Sequence, residues 1–278
     1  VPEGSGEADP AHKLYNFDAT VVERCASLFD WAHFQRTKGA VKLHLLLEHQ
    51  GYLPTFAHIT PGDTHEVNIL RTLYFAPGSI VAMDRGCVDY ALIARWTRQA
   101  VFFVTRLKAN AVYRVVKRRE VPERGPILKD EEIIFTGPRS ARDCPCTLRR
   151  IEVWNEEHQA VIVLLTNHLD FGPTTIARIY KDRWQIEILF KTLKQHLHIK
   201  TFVGTSSNAL HIQIWTALIT LLILKYLRLA SQCETSLSNL VALIRLNLFT
   251  YRDLWAWLLH PEETPPYSPS PQQLTLWA

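Results

Sequence analysis

Four polar side chains recur at fixed intervals in IYKDRWQIEILFKTLKQHLHIK, residues 179–200: Tyr180, Arg183, Glu187 and Lys194. On a helix turning about 100° per residue, with Tyr180 at zero, the other three fall at about 300°, 340° and 320°. All four share one narrow stripe. Ile179, Ile186, Leu189, Phe190, Leu193 and Leu197 fall between about 180° and 280° on the same wheel, so an apolar face lies beside the polar one. Glu187 therefore stands at the border of the core. A merely solvated face scatters its charges as Glu-to-Lys pairs at four-residue spacing. Here a hydroxyl, a guanidinium, a carboxylate and an ammonium stand in line, the set that an anionic substrate together with a metal ion requires.

Two further carboxylates are marked by position. In KLYNFDATVV the residues alternate, with Tyr15, Phe17, Ala19 and Val21 on one face and Asn16, Asp18 and Thr20 on the other, which predicts a strand carrying Asp18. GSIVAMDRG is a near-continuous apolar run that ends in Asp84, the pattern of a strand buried on both faces with its polar residue at the carboxyl end. Ligands gather at that end in open α/β sheets. A lone acid at a strand end commonly caps or pairs. Three acids, Asp18, Asp84 and Glu187, together fit a hard-cation site, because carboxylate oxygens suit Mg²⁺ or Mn²⁺ and two such ions serve phosphoryl displacement.

The elements that must position these groups follow from the pattern. KGAVKLHLLLEHQGYLPTFAHIT predicts two antiparallel strands joined around Gly51, with His44 better read as a strand residue than as a ligand. THEVNILRTLYF predicts a short helix capped by Thr64; YALIARWTRQ predicts another and AVFFVTRL a strand. From residue 110 to 159 the grammar changes to short alternating strands, VYRVVKRREV, EEIIFTG and CTLRRIEVW, which reads as an antiparallel β insertion. AVIVLLTNH then returns to the main sheet, followed by the long helix, a helix at 211–230 and a last helical stretch near 235–259. The predicted organisation is a polar leader 1–12, an α/β core in two parts at 13–109 and 160–232, the insertion 110–159, a helical segment 233–260 and a Pro-rich tail 261–278.

At 278 residues and 47% hydrophobic content the chain can bury a substantial core, which excludes a disordered chain. The net charge of +4 is mild, but Arg106, Lys108, Arg114, Lys117, Arg118, Arg119 and Arg124 cluster, and Arg149 and Arg150 follow, a distribution that suits a polyanion. A solvated loop face is the plainer alternative for such a run. Five cysteines with no framework spacing argue for a reducing compartment, and Cys144-Pro-Cys146 has no second ligand pair to make a zinc site. The longest uncharged apolar stretch, residues 214–224, is too short to span a bilayer and reads as a buried helix. The N-terminus lacks the apolar stretch of a signal peptide, and the only methionine is Met83, so the chain reads as a fragment or trimmed product.

Tyr180-x2-Arg183-x3-Glu187-x6-Lys194 resembles the Tyr-Arg-Glu-Lys signature of bacterial insertion-sequence transposases of the DDE class. NFDAT looks like the segment that carries the first Asp of that family, KGAVKLHLLL like the strand after it, VAMDRGCVDY like the second-Asp segment, and LLTNH like the approach to the last helix. The resemblance spans roughly residues 13–260 and implies a ribonuclease-H-like mixed sheet flanked by helices, with a β insertion between the second Asp and the Glu. It implies that Asp18, Asp84 and Glu187 are catalytic and hold two Mg²⁺ or Mn²⁺ ions. Tyr180, Arg183 and Lys194 would then bind DNA phosphates, alongside Lys191, Arg118 and Arg119. A helix-surface pair packed on the insertion is the alternative for Tyr180 and Arg183, and Trp184 would either stack a base or fill a gap. His65 and Glu66 resemble a His-Asp pair common there in the family, with Glu in place of Asp.

The activity so implied is cleavage of transposon ends and joining of the freed 3′-hydroxyl to target DNA. The implied partners are double-stranded DNA, both ends and target, and a second copy in a homodimeric synaptic complex, with no membrane; the implied setting is the bacterial cytoplasm, at the nucleoid. The rival readings are a metal-dependent nuclease of the same fold and a catalytically silent DNA-binding remnant. Only seventeen residues precede Asp18, where the family carries a DNA-binding segment, so N-terminal truncation is expected.

Overall fold

The computed structural model describes residues 13–23, 33–34, 38–195, 197, 199, 206–231, 235–247 and 253–259. The expected polar leader and the whole of the Pro-rich tail, together with Cys25, Lys200 and Cys233, lie outside the described residues.

Alternation in LYNFDATVVE forms β1, Leu14–Glu23, the strand on which the architecture turns. It pairs parallel with β5, Ile80–Met83, and antiparallel with β3, Lys38–Glu48, whose upstream neighbour β2 is His33–Phe34. β4, Leu53–Pro61, folds back on β3 through a short 3₁₀ turn in which Gly51 takes a φ of +78°, a value open to glycine but strained for other residues. The predicted hairpin around Gly51 is thus formed. β6, Phe102–Arg106, adds parallel to β5. Next come β10, Ala160–Thr166, β9, Leu148–Asn155, β8, Ile127–Phe135, and β7, Tyr113–Arg118, all antiparallel, so the strands between residues 110 and 159 continue the same sheet.

Side-chain alternation sorts the sheet into two apolar layers. Phe17, Val81, Met83, Phe103 and Leu165 pack with α1, Glu66–Leu70, and with Leu92, Ile93 and Trp96 of α2, Tyr90–Arg98. Leu14, Ile80, Ala82, Val104 and Leu164 pack with Ile176, Ile179 and Tyr180 of α4, Pro173–Asp182; the short α3, Pro138–Asp143, precedes β9. All four residues of β5 are buried, as a central strand covered on both faces requires. The mixed α/β class, a sheet flanked by helices, is therefore the one expected from sequence.

Three local expectations are corrected. α1 starts from His65, not Thr64, and no side chain caps it; Lys42 Nζ instead donates to Thr64 O at 2.8 Å and pairs with Glu66 at 3.0 Å. The single helix expected over 179–200 is two, α4 and α5, Trp184–Gln195, meeting at Arg183. There Arg183 N donates to Tyr180 O and Ile186 N to Arg183 O, three-residue bonds that tighten the turn without leaving helical dihedrals. Arg149 and Arg150 do not belong to a polyanion face: they are only 1% and 7% exposed. Glu131 and Glu132 of β8 stand across from Arg150 and Arg149, with Asp130 beside them, and the two guanidiniums are consumed by Asp130, Glu131 and Glu152.

Contacts divide the chain into two compact units, Val1–Gln213 and Ile214–Ala278. The second holds most of α6, Ser207–Ala230, with α7, Leu237–Asn247, and α8, Leu254–Leu259, and its own cluster of Leu240, Trp257 and Leu258 beside Leu227 and Leu243. The 214–224 stretch is buried along Ile214, Leu218, Leu221 and Leu224, but Trp215, Ile219 and Ile223 are exposed, so the expected buried helix is buried on one side only. By length and composition alone α6, at 24 residues, could cross a membrane.

Candidate active site

Backbone register brings the first two acids together. Phe17 and Met83 are the last paired residues of the parallel β1–β5 ladder, so Asp18 and Asp84 each follow at the same level on adjacent strands. Parallel neighbours lie about 4.8 Å apart. Asp84 ends β5 and turns its carboxylate back on the chain, Oδ2 accepting from Gly86 N at 3.1 Å. Asp18 Oδ1 accepts from its own neighbour, Ala19 N, at 2.8 Å. Its second oxygen is left for a partner from another element.

That partner is Arg183, at the α4–α5 joint. Arg183 Nη1 donates to Asp18 Oδ2 at 3.1 Å and Nη2 to Glu187 Oε1 at 2.6 Å, so one guanidinium bridges the strand acid and the helix acid. Its side chain is 9% exposed, against 20% for Asp18 and 33% for Glu187. Asn16 Nδ2 donates to Asp182 O at 3.2 Å and fixes the joint over β1. Tyr180 is buried behind it, with its ring 5.6 Å from the Arg183 guanidinium and 5.5 Å from that of Arg106. The Tyr180 hydroxyl and Arg183 Nε are buried without a hydrogen-bond partner among the described residues.

A cleft of about 420 Å³ opens beside Asp18 and Glu187, walled by Thr20, Phe190, Lys191, Lys194 and Gln195. Asp84 does not line it. Of the basic candidates, Lys191 is exposed and Lys194 half-buried at this cleft. Trp184 is 58% exposed. Arg118 and Arg119 lie far along the sheet on and after β7; Arg118 is largely exposed and reaches Glu131 only at 3.7 Å, whereas Arg119 is shared between Glu132 and Asp130. His44 is fully buried on the Phe17 side, with Nε2 against Thr60 Oγ1 at 2.9 Å, the strand residue expected. Cys144 is buried in the core beside Cys146, and burial pushes its thiol up to about 12.

Electrostatics mark Asp18 as the odd member. Burial pushes its carboxyl from an ordinary 3.8 up to about 6; the Ala19 amide and Arg183 pull it down, and Asp84 and Glu187 push it up again. The folded chain thus holds this proton more tightly than the unfolded one. The associated stability is full below about pH 4 and is lost as pH rises through about 6. Asp18→Asn cannot ionise and escapes that loss. Relative to the unsubstituted chain it should gain up to about 3 kcal/mol across this window in chelator, the product of the pKa shift and about 1.36 kcal/mol per unit. Denaturation midpoints of both chains at each pH measure the difference, and a pH-independent offset would exclude the shift.

Whether a metal fits is answered by the donors. Among the described residues no three His, Cys, Asp or Glu side chains stand close enough together to hold an ion as they are. Yet Asp18 and Glu187 already converge on a cation, and that cation is Arg183. Hard carboxylate oxygens around a positive charge are the right chemistry for Mg²⁺ or Mn²⁺.

The fold and site define a class, a mixed α/β domain with acids from two adjacent parallel strands and from a helix packed over them. A family model of the transposase DDE domain matches residues 10–223, and the chain belongs to that family. Members of the family use divalent metal ions. The chain is 29% identical over 246 residues to a putative transposase, y4zB, of Sinorhizobium fredii, covering 87% of this chain and 68% of that one. It is 26% identical over 222 residues to a probable transposase for insertion sequence element IS5377 of Geobacillus stearothermophilus, covering 80% and 58%. A solved piggyBac transposase synaptic complex with hairpin DNA aligns at a TM-score of 0.48 and 12% identity, covering 96% of this chain and 61% of that one.

Proposed function

We propose that this chain is the catalytic domain of an insertion-sequence transposase that cuts DNA at transposon ends and joins the freed 3′-hydroxyl to target DNA. The observation that carries the reading is the meeting of Asp18 with Asp84 by register and with Glu187 through one shared guanidinium. Asp18, Asp84 and Glu187 would hold two Mg²⁺ or Mn²⁺ ions, which when bound activate a nucleophile and stabilise the leaving oxygen of a phosphoryl displacement. Arg183 neutralises the acids when no metal is bound and turns to a phosphate when DNA arrives. The Tyr180 hydroxyl and Arg183 Nε, buried without a geometric hydrogen-bond partner among the described residues, are donors that such a phosphate oxygen would satisfy. Lys191 and Lys194 on the cleft wall neutralise the backbone beside the scissile bond, and the exposed Trp184 stacks a base. Arg118 contributes at a distance and Arg119, already paired, less. The partner is duplex DNA, engaged by two copies at paired ends.

The test is a labelled duplex ending in the inverted repeats that flank the gene. Cleavage is expected with Mg²⁺ or Mn²⁺ and none with chelator, and pre-cleaved ends should join to a target plasmid. Cutting without joining selects the nuclease reading; neither activity, with binding retained, selects the silent one. Lys191→Ala should lower affinity evenly across sequences and reduce the slope of log affinity against log salt by about 0.9, one phosphate contact. An unchanged slope places Lys191 off the DNA path.

A further inference from the structure

Arg149 belongs to none of the groups that touch the cleft, yet it is among the most buried charges in the chain, 1% exposed with its partner Asp130 at 1%. Nε and Nη2 form a two-pronged contact with Asp130, 2.8 Å to Oδ1 and 2.6 Å to Oδ2. The remaining nitrogen, Nη1, faces the turn between β10 and α4 and donates to the carbonyls of His168, Leu169 and Phe171. The same turn is tied from its other side. Asn167 accepts from Phe103 N at 2.9 Å and donates to Val101 O at 2.9 Å and Thr97 Oγ1 at 3.0 Å. The His168 ring lies between Phe102 and Phe171, and its Nδ1 accepts from Phe171 N. α4 then begins at Pro173 with no side-chain cap from Gly172, so at its start the turn sets the direction in which the helix leaves, before Ile176 and Ile179 reach the sheet and Asn16 takes hold of Asp182 O at its end.

We propose that Arg149, held in orientation by Asp130, is a positioning residue that aims the α4–α5 arm and thereby sets where Arg183 and Glu187 meet Asp18; the catalytic consequence rests on the proposed function. Sixteen residues separate Phe171 from Glu187, about 24 Å of helix at 1.5 Å per residue. A tilt of about 3° at the turn moves the far end by about 1.3 Å, and a misplacement of about 1 Å at a reacting centre costs on the order of a hundredfold in rate. A buried ion pair adds little net stability over an apolar pair of like volume, so geometry is the better reason for a buried guanidinium here. Lysine cannot replace it, since one ammonium serves either the carboxylate or the carbonyls but lacks the planar fork that reaches both.

The experiment compares Arg149→Lys with the unsubstituted chain by amide hydrogen exchange, free of metal and DNA, and by single-turnover cleavage. Exchange over residues 173–195 should accelerate at least tenfold while β1, β5 and β6 keep their protection. Cleavage should fall thirtyfold to a hundredfold with DNA affinity within twofold. Asp130→Asn, which keeps Arg149 and its carbonyl contacts, is the second variant if the first does not fold, with the same local pattern at smaller size. Unchanged exchange over 173–195, or acceleration shared equally by the strands, overturns the proposal, as does full cleavage by a locally loosened variant. Local loosening in a protein whose unsubstituted form cuts no DNA would leave the clamp standing and bring down the transposase reading instead.

Discussion

Glu187→Gln should abolish metal-dependent cleavage, by at least about a thousandfold, the upper range for loss of one preorganised electrostatic group at a reacting centre. The amide keeps the shape of the side chain and can still accept from Arg183, whose contact with Glu187 is 2.6 Å. What it loses is the negative charge that makes the oxygen a ligand for a hard cation. Glu187 is also the acid that arrives from a helix, so no neighbour on β1 or β5 can substitute for it. DNA binding, which draws on lysines along the cleft, should stay within about threefold, because phosphate contacts position the substrate independently of the metal. Single-turnover rates and a gel-shift titration separate the two effects. A variant that cuts at the parent rate removes Glu187 from the chemistry, and one that loses binding and cleavage together assigns it to DNA engagement instead.

The sequence made the acids legible one at a time and their assembly only in part. Asp84 was readable because β5 is apolar throughout and ends on it, a local pattern that burial on both faces imposes. The level pairing of Asp18 with Asp84 was not, since the parallel register joins residues more than sixty positions apart and no turn sets it. The helical wheel puts Tyr180, Arg183 and Glu187 on one stripe, but it does not show how deep that stripe lies; the structure buries Tyr180 and Arg183 and leaves Glu187 partly open. The break at Arg183 left no mark because its backbone stays helical and only the hydrogen-bond pattern slips. Arg149 was counted as a surface charge. The signal against that was present in Asp130-Glu131-Glu132, acids placed in an otherwise apolar strand, which predict cations on a neighbouring strand once the pairing is known.

Arg183→Met tests whether the acids form a cation site without asking for any activity. In the metal-free chain the guanidinium is, among the described residues, the positive group bonded to both Asp18 and Glu187, and its removal leaves those two carboxylates without it, with Asp84 on the adjacent strand. Breaking a fully buried pair from one side costs about 3–5 kcal/mol, because the surviving charge keeps its desolvation without its partner, and the cost here is smaller because Asp18 and Glu187 are 20% and 33% exposed. The loss should be largest near neutral pH. With Arg183 gone the pull that lowers the Asp18 carboxyl is gone too, so its pKa moves further up and protonation relieves the repulsion as pH falls. Divalent cation should relieve it in another way, by binding the folded form alone, with about 2.7 kcal/mol recovered at a concentration a hundredfold above its dissociation constant. Mn²⁺ is therefore expected to raise the midpoint of the variant more than that of the unsubstituted chain, where the ion must first displace a guanidinium bound at 2.6 Å and 3.1 Å. Equal effects of Mn²⁺ on both proteins, or none on either, would mean that the acids serve Arg183 alone and that the metal site lies elsewhere.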